Sequence, residues 1–150
     1  MGTAAAVPIA VNISSVPVYK LKNAIMNNDI ESLAALLATE AQINDEDRNG
    51  WTALHIAASR GNDSIVSLLL NHGANINLKN SIGWTPLMDA AGNGRESTVL
   101  LLLVRGAQYH LKNNYGQTAI DLAKKKNKQG AVKLIKKIYR KARERGISPS

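Results

Sequence analysis

The sequence predicts an all-α solenoid of stacked helix–turn–helix units joined by hairpin-like turns, and three observations carry the prediction. Residues recur every 33 positions: Gly50, Gly83 and Gly116; Thr52, Thr85 and Thr118; Ala57, Ala90 and Ala123. The pairs Gly61 and Gly94, and Gly73 and Gly106, keep the same step. Phe is absent from the 150 residues and only two Trp and four Tyr are present, so Ala, Leu and Ile must fill the core. That composition suits helices in close contact.

The units follow in order. Stepping back from Thr52 reaches the segment from Tyr19 to Ala24, which keeps Leu21 and Ala24 but loses the Gly and Thr. Its second half, Leu36 and Leu37 through Ala41, Ile43 and Asn44, matches Leu69 and Leu70 through Ala74, Ile76 and Asn77. In the second unit Thr52 offers a side-chain oxygen to cap a short helix, and Leu54, Ala57 and Ala58 form its small apolar stripe. Gly61 then permits the left-handed backbone that ends it. Ile65, Val66, Leu68, Leu69 and Leu70 give a longer second helix its apolar face, which Gly73 closes. Thr85, Gly94 and Gly106 do the same work in the third unit, where Pro86 sits at the tolerated first helical position. Asp47, Asn80 and Asn113, each three residues before a repeat glycine, build the turns between units. In the fourth unit a helix runs from Gln129 to about Glu144, with Gly146 and Pro149 as terminators. Val132, Ile135, Ile138, Tyr139 and Ala142 recur on it at helical spacing and are expected to close the stack.

These residues resemble the ankyrin-repeat family, whose signature is this period with a Thr-Pro-Leu-His-x-Ala core. Thr52 to Ala57, Thr85 to Ala90 and Thr118 to Ala123 each carry it in part, and the resemblance spans roughly Val16 to Tyr139. It implies four repeats, at approximately 16–46, 47–79, 80–112 and 113–145, within a single domain over 16–145. The diverged outer two would be caps, because terminal units must turn a polar face outward. A flexible leader is expected over 1–15 and a disordered C-terminus over 146–150.

The resemblance also implies where recognition occurs: on the turn tips and the concave face of the first helices. The outward-facing position after each turn glycine holds Trp51, Trp84 and Gln117. Aromatic residues on a rigid concave surface dominate binding hot spots and often cost about 2 kcal/mol or more when truncated; the competing reading is that each Trp packs over its adjacent turn. The same surface would include Arg48, Asn49, Ser59 and Arg60 in the second repeat. The third would add Ser81, Ile82, Gly92 and Asn93, and the fourth Tyr115, Lys125 and Lys126. The expected footprint is an apolar centre with a polar and basic rim.

Catalytic and metal chemistry find no support in the residues. His55 is, by the resemblance, a structural histidine bonding neighbouring backbone, and Met88 and Asp121 replace it in later units. His72 and His110 lack the spacing of a metal site, and with no Cys there is neither a thiol nucleophile nor a disulfide. The stretch from Gly92 to Ser97 imitates a phosphate loop but lacks the Lys-Ser/Thr ending. No cofactor and no enzyme activity are expected. The N-terminus has no basic start for a secretory signal, and Ala6 stands where a myristoylation site wants Ser or Thr. The aliphatic run from Val99 to Val104 is too short to cross a bilayer. A cytoplasmic or nuclear monomer without a transmembrane segment is expected, and the Lys-rich stretch 124–128 resembles a short nuclear-import signal.

The formal charge of +8 is unevenly placed. From Lys124 to Arg145 there are eleven Lys and Arg against one acid, Glu144, so that segment carries +10 and the rest −2. Lys133, Lys136, Lys137, Arg140, Lys141, Arg143 and Arg145 cover much of the last helix. One reading is a solvated cap that keeps the open end of the stack soluble, although such a face would usually mix signs. The basic face fits an acidic protein partner steered into the groove. The alternatives are nucleic-acid phosphates or an anionic membrane surface.

Overall fold

In a computed structural model of the chain, residues 17–39 and 42–146 are described. Those residues form eight helices and no strand: α1 (Val18–Met26), α2 (Ile30–Leu37), α3 (Ala53–Arg60), α4 (Asp63–Asn71), α5 (Pro86–Gly92), α6 (Glu96–Val104), α7 (Ala119–Lys125) and α8 (Gln129–Glu144). The leader expected over 1–15, Ala41, and the terminus expected over 146–150 lie outside the described residues, apart from Gly146.

Each pair of helices is one 33-residue unit, and local chemistry explains its start and stop. Thr52, Thr85 and Thr118 are extended residues whose hydroxyls accept the N–H of His55, Met88 and Asp121, at 3.4, 3.3 and 3.3 Å. Pro86 occupies the first turn of α5, where its missing N–H costs nothing. Between the two helices of every unit one residue takes positive φ, and these four positions are themselves 33 apart: Asn28 at 53°, Gly61 at 72°, Gly94 at 68° and Asn127 at 56°. The inner units use Gly there. The outer two use Asn, which tolerates the left-handed region better than other side chains. Asn127→Gly should therefore raise the unfolding free energy by about 0.5 kcal/mol in urea titration. A loss of stability would show that the exposed contact of Asn127 with Gln129 outweighs the backbone relief.

The units stack through two rows. In the inner row α1 packs on α3, α3 on α5 and α5 on α7; in the outer row α4 packs on α6 and α6 on α8. Ala57, Ala58, Ala90, Ala91 and Ala123 are fully buried, and their small side chains let the inner helices approach closely. Ile65, Val66, Leu69, Val99 and Leu102 fill the space behind them, each large side chain contributing roughly 1.5–3 kcal/mol by its burial. A polar cross-link joins the outer row, the buried Thr98 hydroxyl donating to Asp63 Oδ1 at 2.5 Å.

The final unit departs from the expected closure. Val132 and Ile135 are buried, but Ile138 and Ala142 are only half-buried and Tyr139 is 41% exposed. Tyr139 instead sets its ring edge against Tyr109, 5.4 Å between centroids. Ile120, the counterpart of the buried Leu54 and Leu87, stays half-buried, since among the described residues no unit stacks on it. An open apolar hollow of about 430 Å³ remains there.

Candidate protein-binding face

The turns that carry Trp51, Trp84 and Gln117 are built by one device used three times. A side-chain oxygen at Asp47, Asn80 or Asn113 accepts two backbone N–H groups, from the residues two and four positions on. Asp47 Oδ1 takes those of Asn49 and Trp51 at 2.8 and 3.0 Å, and Asn80 Oδ1 those of Ile82 and Trp84 at 3.0 and 2.9 Å. Asn113 Oδ1 takes those of Tyr115 and Gln117 at 2.9 and 3.0 Å. The loop is thus closed around its own first side chain, a turn that Asx residues favour. Each ring-bearing residue is fixed at its backbone N–H before its side chain makes any contact. Burial pushes the Asp47 carboxyl up. The Trp51 and Asn49 amides, with Lys22 at 3.5 Å, outweigh it and hold the group below the usual carboxylate range.

Trp51 and Trp84 are both half-buried. Trp51 walls an open hollow of about 340 Å³ shared with Lys22, Met26, Asp47, Asn49, Ile56, Ser59 and Arg60. Four of the residues expected from sequence, Asn49, Trp51, Ser59 and Arg60, therefore meet in one depression between the first two repeats. Lys22, Met26, Asp47 and Ile56 complete it and were not anticipated; Lys22 and Met26 come from the diverged first repeat, where the register was hardest to follow. Trp84 carries the next part of the face. The Lys126 ammonium lies 5.7 Å from its ring centroid, a cation–π contact. Asn93 links the two parts by donating to Ser59 Oγ at 3.3 Å.

The remaining expected residues spread along the turn tips. Arg48 and Lys125 are exposed, Ile82 is 39% and Tyr115 76% exposed, and Gln117 is half-buried, its amide oxygen taken by Asn113 Nδ2 at 3.0 Å. Ser81 is committed to the stack, its hydroxyl donating to the Asn49 carbonyl at 2.8 Å. Thus Ile82 and Tyr115 do not line the Trp51 hollow; they stand on successive tips.

His55 is held on both sides. Nδ1 lies 2.7 Å from the Thr52 hydroxyl and Nε2 lies 2.8 Å from the Trp84 carbonyl in the next repeat. Burial lowers its pKa, against the pull of the Trp84 and Leu78 carbonyls, so the ring is neutral and Nε2 carries the proton to Trp84. Its edge also meets Trp51, 5.9 Å between centroids. One histidine therefore supports both tryptophans. His72 bonds its own helix at Leu68, and among the described residues no three His, Cys, Asp or Glu converge as a metal site.

Asp89 is a further residue that sequence reasoning missed. It lies on α5, 1% exposed, and Oδ2 has no hydrogen-bond partner. Burial pushes its pKa up to about 8, with Lys126 pulling the other way. The register did contain a signal, because Ile56 and Leu122 stand 33 residues either side.

On α8, Lys133, Lys136, Lys137, Arg140, Lys141, Arg143 and the following Arg145 are all exposed. Arg140 reaches Glu144 at only 3.9 Å, with both side chains about two-thirds exposed, a pair worth little in water. No described helix is long and apolar enough to cross a membrane.

Comparison with known proteins gives the same repeat. A family model of ankyrin repeats in three copies matches residues 21–113, more than half of the chain. The mitochondrial disaggregase of Bos taurus is 43% identical over 53 residues, 35% of this chain and 8% of that protein. The nuclear factor NF-kappa-B p105 subunit of Gallus gallus is 43% identical over 49 residues, 33% of this chain and 5% of that protein. The matched segments span less than a tenth of either relative.

Proposed function

Because this chain belongs to the ankyrin-repeat family, whose repeats generally mediate protein–protein interaction, we propose that it is a non-catalytic adaptor, scaffold or inhibitor. It binds its partner through the turn tips and the concave helix face, acts as a monomer, and works in the cytoplasm or nucleus. The observation that carries this reading is the pair of tryptophans at one repeat position, each half-buried and each anchored at its amide. Half-buried rings on a pre-formed turn lose little conformational freedom on binding, which is where affinity is gained. The basic α8 region steers an acidic partner toward that face.

A pull-down with cross-linking tests it. Trp51→Ala with Trp84→Ala should reduce partner capture at least tenfold, with no change in helical content by circular dichroism. Capture that persists in that variant rejects the groove as the binding face. A second reading, nucleic-acid or anionic-lipid binding through α8, is favoured by its exposed, nearly unpaired cations. It predicts the opposite pattern: the tryptophans are irrelevant, while Lys136→Glu with Arg140→Glu removes a binding that weakens steeply with salt.

A further inference from the structure

A carboxyl group stands on α5 where the neighbouring repeats carry an aliphatic side chain. Ile56, Asp89 and Leu122 occupy one register position, and Ile56 lines the Trp51 hollow. Asp89 is more enclosed than Ile56, at 1% exposed against a half-buried side chain, yet its Oδ2 receives no donor. A buried polar atom without a partner is rare in folded proteins and calls for an account.

The surroundings supply one. The Trp84 ring and the Lys126 stem converge over Gly92, where an added methyl would touch Lys126 Cδ at 3.7 Å and Trp84 Cζ3 at 3.8 Å. The Lys126 ammonium already occupies the aromatic face, 5.7 Å from its centroid. Lys126 is also the residue whose charge acts on Asp89. Asp89 and Gly92 stand three residues apart on α5, on one side of the helix, so a carboxyl lacking a donor neighbours an indole face that holds a cation.

We propose that Trp84 and Asp89, over the Gly92 floor, form a receptor for an arginine guanidinium of the bound protein, and that Lys126 keeps its place in the free chain. A guanidinium can lie flat on an indole while its forked N–H groups reach a carboxylate, whereas an ammonium satisfies one contact at a time. On entry the arginine displaces the Lys126 head into solvent, and the proton held by the Asp89 carboxyl passes to the buffer. This rests on the concave face being the binding surface. It does not need the partner to be acidic overall, only that one arginine points into the third repeat.

The test uses small probes, N-acetyl-arginine amide and N-acetyl-lysine amide, on the full chain at about pH 8.5, where Asp89 is mostly ionised. The Trp84 indole N–H resonance, assigned with Trp51→Ala as the reference, reports occupancy. The arginine probe should shift it saturably and bind about fivefold tighter than the lysine probe. Asp89→Asn, checked for an otherwise unchanged amide spectrum, should weaken the arginine probe about tenfold. Lys126→Met should tighten it by removing the competing ammonium. The proposal is overturned by no saturable shift up to about 100 mM, by equal binding of the two probes, or by equal binding in Asp89→Asn. Weaker binding in Lys126→Met also overturns it, since Lys126 would then help to hold the probe. Probe binding alongside partner capture that survives Trp51→Ala with Trp84→Ala would leave a guanidinium site but overturn its assignment to the bound protein, because the groove reading itself would have failed.

Discussion

Replacing Asp89 with leucine is expected to stabilise the protein at about pH 8–9 by roughly 2–3 kcal/mol, and by much less near pH 4. The sign follows from the two states. Unfolded, the carboxyl has its ordinary value of 3.8; folded, burial raises it to about 8. Between those limits the native state holds a proton that the unfolded state has released, so native stability falls as pH rises through that window. It levels off above. The full shift would set a ceiling of about 6 kcal/mol, at roughly 1.4 kcal/mol for each pH unit. Local rearrangement and the Lys126 head, able to move toward an ionised Asp89, bring the expected effect below that ceiling. Leucine suits the site because Leu122 fills the same register position in the next repeat, itself 2% exposed. Thermal unfolding at about pH 4 and pH 9 measures the difference, near 4 °C for each kcal/mol in a domain of this size. Parallel pH dependences for the two proteins would mean that Asp89 is solvated in solution.

That instability bears on function. On the proposed groove reading, a site kept less stable than its neighbours by one carboxyl is a compromise of the kind that functional sites show. Leucine at position 89 would give a firmer solenoid with a blander groove, and any gain in stability should be matched by weaker binding of the arginine probe.

How far this could be seen in the sequence depends on which interactions the repeat controls. The 33-residue step placed the helices and the Thr caps, because those depend on neighbours close in the chain. It also located the Asx turns, although not the double acceptor at Asp47, Asn80 and Asn113 that fixes the tryptophan amides. Asn28 and Asn127 escaped notice because they carry out in the outer units what Gly61 and Gly94 do in the inner ones, with different side chains. Tyr139 was misplaced for another reason. Helical spacing puts it on the apolar stripe of α8, but α8 outruns the 8- and 9-residue second helices before it, and among the described residues its far end has no helix to pack on. The Lys126–Trp84 contact joins side chains 42 residues apart, outside the repeat step, so no periodic pattern could announce it.

His55→Ala should cost about 3 kcal/mol, and His55→Met only about 1 kcal/mol. The alanine variant removes two side-chain hydrogen bonds and leaves a void at a fully buried position. The Trp84 carbonyl is not orphaned, since the Asn80 N–H still donates to it at 2.9 Å, which keeps the cost moderate. Methionine has a precedent in the next repeat. Met88 occupies the same register position, where its sulfur accepts the Thr85 N–H at 3.4 Å. What neither substitute can supply is the bridge from one repeat to the next. In a solenoid each unit is held by its neighbours, so protection of amides from hydrogen exchange should fall most around the Trp84 turn. The pH dependence gives a second measure. The folded histidine is held below its ordinary 6.5 by burial, so below that pH the unfolded state binds the extra proton and native stability declines on acidification. Asp89 acts in the opposite sense over part of the same range, and the wild-type profile is the sum of both. Subtracting the His55→Met profile from it isolates the histidine, and a flat difference between about pH 5 and 7 would show that the ring is accessible to protons in the folded state.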